Sequence, residues 1–266
     1  MDADVTVSED IAGSVVIDGP SEIRGNLVVK NVTGLLALTS NTLESVEGTF
    51  ELNNCENLNS IQMDSLRSIS ELKMNRLTNL QSLIFGTEGV TKASSVDISD
   101  THIDNLDGLK LATVESLRIN NNGRLISFES DLVNVTTELI IDNNGNNFEI
   151  KMPKLESAKE IQIRSSKSLS VPLLESVSGS LILDDNPAMK SFSAPNLTSV
   201  TNSVSFINNT NLANVSLPLL EEISGDLTVL NNEKLVEVDG FPKVKIVQGA
   251  IFLGGNFDRY YSPYLP

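Results

Sequence analysis

Few side chains in this chain have the chemistry to be catalysts or ligands. The lone cysteine, Cys55, and the lone histidine, His102, exclude an internal disulfide, a cysteine-built metal site and a paired-histidine zinc site. His102 stands between Asp100 and Asp104, a set that could hold a metal or pass a proton, though a surface turn histidine is the plainer expectation. Cys55 could be a reactive thiol, but its place in the repeat set out below predicts a buried packing role. The carboxylates to weigh are Asp184 and Asp185, with Asp142 before them and Arg164 between. A polysaccharide-cleaving site needs aspartates grouped with Lys, Arg or His on one sheet face. These acids instead flank asparagines in turn positions, which is ordinary solvated-turn chemistry. No catalytic, cofactor-binding or metal-ligating residue is assigned, and an enzyme is the least favoured reading. Five Asn-x-Ser/Thr triplets, at Asn31, Asn134, Asn196, Asn208 and Asn214, could accept N-linked glycans if the chain is secreted.

The charge balance narrows the partners. Thirty-five acids against 19 bases give a net charge of −16, a field that repels nucleic acid and anionic membranes. No run of about 18 apolar residues offers a transmembrane helix. Met1 leads straight into the acidic stretch MDADVTVSED, without a leader's basic and apolar regions. The chain is therefore expected to be either cytosolic or an excised piece of a secreted protein.

What positions all these groups is a repeat. Apolar pairs separated by one residue recur as Leu27/Val29, Phe50/Leu52, Leu72/Met74, Val96/Ile98, Leu117/Ile119 and Leu139/Ile141. They continue as Ile161/Ile163, Leu181/Leu183, Val204/Phe206, Leu227/Val229 and Ile251/Leu253, at intervals of 20 to 24 residues. Alternation puts both members of a pair on one face of a strand, and the interval matches leucine-rich-type coils of roughly 20–29 residues. Three residues past the pair, six coils carry Asn, at Asn122, Asn144, Asn186, Asn209, Asn232 and Asn256, and Cys55 takes the same slot of its own coil. An amide there can pair with orphan backbone groups at the turn.

The return side reads Met152-Pro153, Val171-Pro172, Ala194-Pro195, Leu217-Pro218 and Phe241-Pro242. Proline there marks a bend or the first residue of a strand, and Gly179, Gly225 and Gly249 are expected to turn the chain into the next coil. No helical spacing is evident. The prediction is an all-β fold: a right-handed parallel β-helix, or leucine-rich-repeat-like solenoid, of about eleven coils. Residues 1–22, with Val5/Val7 and Val15/Ile17, are expected to form an N-terminal cap. Residues 23–256 form the repeats, and 257–266, with Tyr260, Tyr261, Pro263 and Tyr264, a C-terminal cap or a truncation point.

The rhythm of strand, paired asparagines and "x-L-P-x-L-x-x-V-x-G", clearest over Val236–Phe257 and extending across about residues 23–257, resembles a fungal family. It is similar to the glycosylphosphatidylinositol-anchored extracellular-matrix and sporulation-specific wall-organisation proteins, which are built like receptor L-domains. The resemblance implies secretion, N-glycosylation, a lipid anchor and a non-catalytic role in organising the cell or spore wall. It also implies an extracellular, cell-surface location, and wall glycans or wall proteins as partners. It brings no cofactor and no catalytic residues. A Ser/Thr-rich stalk, an apolar anchor tail and terminal cysteines, common in such proteins, are missing from this sequence, so contact with a membrane is expected only through an anchor this chain does not carry.

Outward positions between the paired apolar residues form the expected binding ribbon of the solenoid. Lys73, Arg118, Ile140, Gln162, Ile182, Thr228 and Phe252 are its candidate contacts. Ile140, Ile182 and Phe252 would either present apolar surface to a partner or lie beneath neighbouring long side chains. A receptor-like or adhesive module that uses this ribbon is the alternative to a wall-organising role.

Overall fold

The computed structural model describes residues 1–7 and 10–257. Tyr260, Tyr261, Pro263 and Tyr264, expected to cap the end, lie outside the described residues. The described chain is all strand, turn and bend, with no helix. It divides into two compact units, Met1–Leu132 with Asn143–Asn146, and Val133–Asp142 with the chain from Asn147 onward. Each is a parallel β-solenoid.

In the first unit the front strands are Val5–Val7, Leu27–Lys30, Ser45–Asn53, Ser68–Leu77, Ser95–Thr101 and Thr113–Asn120. Successive strands of this set pair in parallel. The paired apolar residues fall into two continuous rows, Leu27, Phe50, Leu72, Val96, Leu117 and Val29, Leu52, Met74, Ile98, Ile119. All ten are at most 1% exposed. A second parallel sheet, Gly13–Val16, Leu35–Ser40, Ser60–Met63 and Ser82–Ile84, closes the coil from behind and buries Leu38 and Ile61. The segment expected as a cap thus supplies strands to both sheets. Side chains from two strands per coil meet in a thin dry column, so each coil buries its faces against neighbouring coils instead of a central core.

The second unit repeats the plan with Asn134–Asp142, Ser157–Ile163, Leu181–Leu183, Val204–Ile207, Leu227–Leu230 and Ile251–Gly254. Its return turns follow from the proline motif. In each, the amide three residues on donates to the carbonyl before proline: Leu155 to Met152, Leu174 to Val171, Leu197 to Ala194, Leu220 to Leu217 and Val244 to Phe241, at 3.2 Å each. Proline's fixed φ suits the second position of such a turn, where no amide donor is needed.

Two side-chain columns hold the front turns. In the second unit Asn186, Asn209 and Asn232 are buried. Their Nδ2 groups donate to the carbonyls of Ile163, Leu183 and Phe206 one coil earlier, at 2.9, 2.7 and 2.7 Å. Their Oδ1 atoms accept from the amides of Ser166, Asn186 and Asn209 at 2.9, 2.9 and 3.0 Å. Asn122 and Asn144 do the same in the first unit, and Thr101 ends that ladder by donating its hydroxyl to Asn122 Oδ1 at 2.6 Å. The residue just before each slot has a left-handed backbone with φ between 50° and 59°: Asn31, Asn54, Arg76, Asp100, Asn121 and Asn143, then Ser165, Asp185, Asn208 and Asn231. Asn and Asp tolerate that region best among residues with a side chain.

Three details differ from the repeat's expectation. Asn256 does not extend the ladder; its Nδ2 donates instead to Glu233 O at 3.2 Å on the exposed side. Ile251 and Leu253, in register with the buried Leu227 and Val229, are 56% and 40% exposed. Gly179, Gly225 and Gly249 lie at the bends as expected, yet none has a positive φ. A Cβ on Gly249 would stand 2.6 Å from the carbonyl carbon of Gly225, so close stacking of coils is what requires the glycine.

Candidate functional site

The acidic group was the best sequence lead for chemistry, and its atoms are engaged in holding strands. Asp142, Arg164 and Asp184 each follow the inward pair of successive coils, in the registered series Ile141, Ile163 and Leu183. Asp184 Oδ1 accepts from the Ser205 hydroxyl at 2.8 Å and from the Ile207 amide at 2.9 Å. Burial holds its carboxyl above the ordinary aspartate range, against those two hydrogen bonds. Asp142 accepts from the Ser165 hydroxyl at 3.3 Å. Asp185, at the exposed left-handed turn, accepts from Asn208 Nδ2 at 2.8 Å. Arg164 donates to the Gln162 amide oxygen at 3.2 Å, with that amide turned to satisfy both groups. Each carboxylate thus has a structural partner in a neighbouring coil.

Cys55 is fully buried, with Sγ 3.6 Å from Val29 O and 3.5 Å from Asn53 O. Burial pushes its thiol up, which keeps it protonated and unreactive. His102 is an exposed residue after Ser95–Thr101. Among the described residues no group of three His, Cys, Asp or Glu could hold a metal ion.

The outward strand row remains, and the two units differ in it. In the first unit it runs Val28, Glu51, Lys73, Asp97, Arg118 in strict register, so four charges alternate in sign. Lys73 also donates to Glu71 at 2.6 Å, and Lys30 bridges Glu51 at 2.8 Å. The Lys73 hydrogen bond draws the Glu71 carboxyl below its usual range, and the same contact raises the Lys73 ammonium. Lys73 and Arg118 therefore belong to a self-neutralising ribbon. In the second unit the row is Ile140, Gln162, Ile182, Ser205, Thr228, Phe252, without a formal charge. Ile140 and Ile182 are half-buried and Phe252 is 50% exposed.

No protein-family model matches the chain, and no solved structure matches it. Curated sequences do. The chain is 32% identical over 178 residues to the protein ecm33 of Aspergillus fumigatus, an overlap of 66% of this chain and 44% of that protein. It is 33% identical over 171 residues to the cell surface GPI-anchored protein ECM33 of Candida albicans, covering 64% and 41% respectively. Sporulation-specific protein 2 of Saccharomyces cerevisiae matches 98% of this chain at 28% identity, over 52% of its own length. The relatives are fungal proteins, among them ones named for the cell surface, the cell wall and sporulation. This chain spans about half the length of these curated wall-protein relatives.

For a homologue of wall proteins, the placement of the five triplets matters. Asn31 and Asn208 are exposed, each at a left-handed turn position. Asn214 is exposed at the start of Asn214–Ser216. Asn134 is half-buried within a front strand and accepts from the Ser157 hydroxyl at 2.7 Å. Asn196 is half-buried in a return turn, with Nδ2 donating to Pro172 O at 3.1 Å.

One surface escaped the sequence reading. The first unit carries a groove of about 510 Å³ at the bend that feeds its front strands, lined by Glu47, Ser70, Lys92, Ala93, Ser94 and Thr113 among others. The available signal was a break in the repeat. Ser45-Val46 and Ser68-Ile69 lead into their strands, whereas the next coil offers Lys92-Ala93.

Proposed function

We propose that this chain is a non-catalytic section of a fungal cell-surface protein that supports the organisation and integrity of the cell wall or spore wall. It acts outside the cell, in association with wall glycans or wall proteins, and in its full-length form is held at the surface by a glycosylphosphatidylinositol anchor. The observation carrying this reading is the homology to proteins named for the cell surface, the cell wall and sporulation. The engaged acids of the front turns support the non-catalytic part. Exposed triplets at Asn31, Asn208 and Asn214 suit a glycosylated surface. In the organism that encodes it, deleting the gene should sensitise cells or spores to wall-binding dyes, and a tagged full-length copy should fractionate with the wall. Normal dye resistance together with a cytoplasmic tag would overturn the reading. Turnover of pectin or glucan by the purified chain, lost in Asp184→Ala, would restore the enzyme.

A receptor-like or adhesive role is favoured by one feature, the uncharged row from Ile140 to Phe252 in the second unit. Pull-downs that depend on Gln162 and Thr228 would support it. Pull-downs indifferent to both would remove it.

A further inference from the structure

The groove of the first unit crosses four successive coils, represented by Val46, Ile69, Ala93 and Thr113. Its origin is a missing side chain. Register runs from Ser68 to Lys92 and from Ser95 to Ser116, which sets Ala93 between Ile69 and Val114. Both of those are buried, whereas Ala93 is half-exposed. A methyl group in place of a branched side chain leaves the trough open.

Its lining is hydroxyl-rich: Ser68, Ser70, Thr91, Ser94 and Thr113. Thr91 donates to Arg67 O at 3.4 Å. The other four hydroxyls have no hydrogen-bond partner among the described residues. Glu47 and Lys92 line it too, one charge of each sign, so no net charge selects an anion or a cation. The backbone between the coils is already paired, with the Ile69 amide on Lys92 O and the Ser94 amide on Ser70 O, both at 2.9 Å. An added peptide strand therefore finds no free ladder there.

We propose that this groove binds a linear, neutral polysaccharide segment lying along the stacking direction of the coils. Stacked coils repeat every 4.7–4.9 Å or so, whereas an extended peptide advances about 3.3 Å per residue. Three successive coils offer hydroxyls, Ser68 and Ser70, then Thr91 and Ser94, then Thr113, a spacing that stays in phase with a polymer whose unit is about one hexose long and drifts out of phase with a peptide. Hydroxyls that both donate and accept suit sugar hydroxyls. The proposal deepens the wall reading above and rests on it for where such a polymer is met.

The test is calorimetric titration of the full chain with neutral β-linked and α-linked hexose oligomers, using an extended Ser/Gly peptide as control. Saturable binding at one site per chain is expected for one of the oligomers and none for the peptide. Ala93→Ile restores the residue type of the neighbouring coils and fills the trough, so it should leave melting unchanged or raised. It should also weaken oligomer binding by about tenfold or more, equal to about 1.4 kcal/mol. Ser70→Ala combined with Thr113→Ala should weaken it comparably, and Thr201→Ala, at an exposed position of the other unit, should not. Failure of every oligomer to bind, or undiminished binding to a well-folded Ala93→Ile variant, overturns the groove. Wall sensitivity on gene deletion would then still stand, which separates the two claims.

Discussion

Asn209→Ala removes one rung of the buried asparagine ladder, and its cost can be worked from three hydrogen bonds. Asn209 is fully buried. Its Nδ2 serves Leu183 O at 2.7 Å, and its Oδ1 serves the Asn186 amide at 2.9 Å. Its own amide still reaches Asn232 Oδ1 at 3.0 Å after truncation. The variant therefore strands one buried carbonyl and one buried amide, each costing about 1–3 kcal/mol. The sum is roughly 2–6 kcal/mol, or about 5–20 °C in melting temperature for a chain of this size. Asn256→Ala serves as the internal control. That residue sits three past its apolar pair like the others, yet is exposed and makes one bond, to Glu233 O, so its loss should cost under about 1 kcal/mol. Urea unfolding followed by circular dichroism measures both. Hydrogen exchange at the Asn186 amide shows whether the damage is local, as nearest-neighbour stacking requires. If Asn209→Ala falls within about 1 kcal/mol of the native chain, or matches Asn256→Ala, the ladder does not carry the stability assigned to it.

Three further outcomes are expected. Leu139→Asp, which puts a charge at a fully buried position, should unfold its coils at a cost of about 4 kcal/mol or more, whereas Thr228→Asp on the outward row should stay within about 1 kcal/mol; thermal melts compare them. Asp184 has a raised carboxyl pKa in the folded chain, so the folded state holds that proton more tightly. The resulting stabilisation is full below the ordinary aspartate value of about 3.9 and is lost as pH rises through the raised value. Asp184→Asn keeps an Oδ1 for Ser205 and Ile207, so its melting temperature should exceed the native one at neutral pH, with the gap closing on acidification. Expressed through a fungal secretory route, the chain should carry glycans at Asn31, Asn208 and Asn214 ahead of Asn134 and Asn196 in peptide mass mapping.

The fold was legible because its signal repeats. One inward pair per coil, such as Leu117/Ile119, is weak alone, but its recurrence fixes strand, register and stacking direction together. The asparagine slot was legible for the same reason, down to Cys55 standing buried in it. Features confined to one coil were not. Nothing in the spacing distinguishes Asn256 from Asn232, yet Asn232 reaches back to Phe206 O of the preceding front strand whereas Asn256 turns to Glu233 O. The alternating charges from Glu51 to Arg118 stand 21 to 24 residues apart in sequence and become neighbours only once register is exact. Ala93 is an unremarkable residue until it is set between Ile69 and Val114.

That asymmetry follows from how a solenoid stores its stability. Each coil depends on its two neighbours, so the inward pairs and the ladder slot are constrained at every step, and substitutions there, as in Asn209→Ala, propagate to the adjoining coils. Outward and corner positions carry no such coupling. A single coil can exchange a branched side chain for alanine, or a serine for Lys92, and change the local surface while the ladder bonds accepted by Ser70 O and Lys92 O persist. A function added to such a chain should therefore appear as a local exception to the repeat, and the groove at Ala93 is an exception of that kind. The same logic explains why Asp184 is a poor candidate for chemistry despite its shifted carboxyl: its two hydrogen bonds go to the next coil, so it belongs to the coupled part of the structure, where a change of protonation alters stability first.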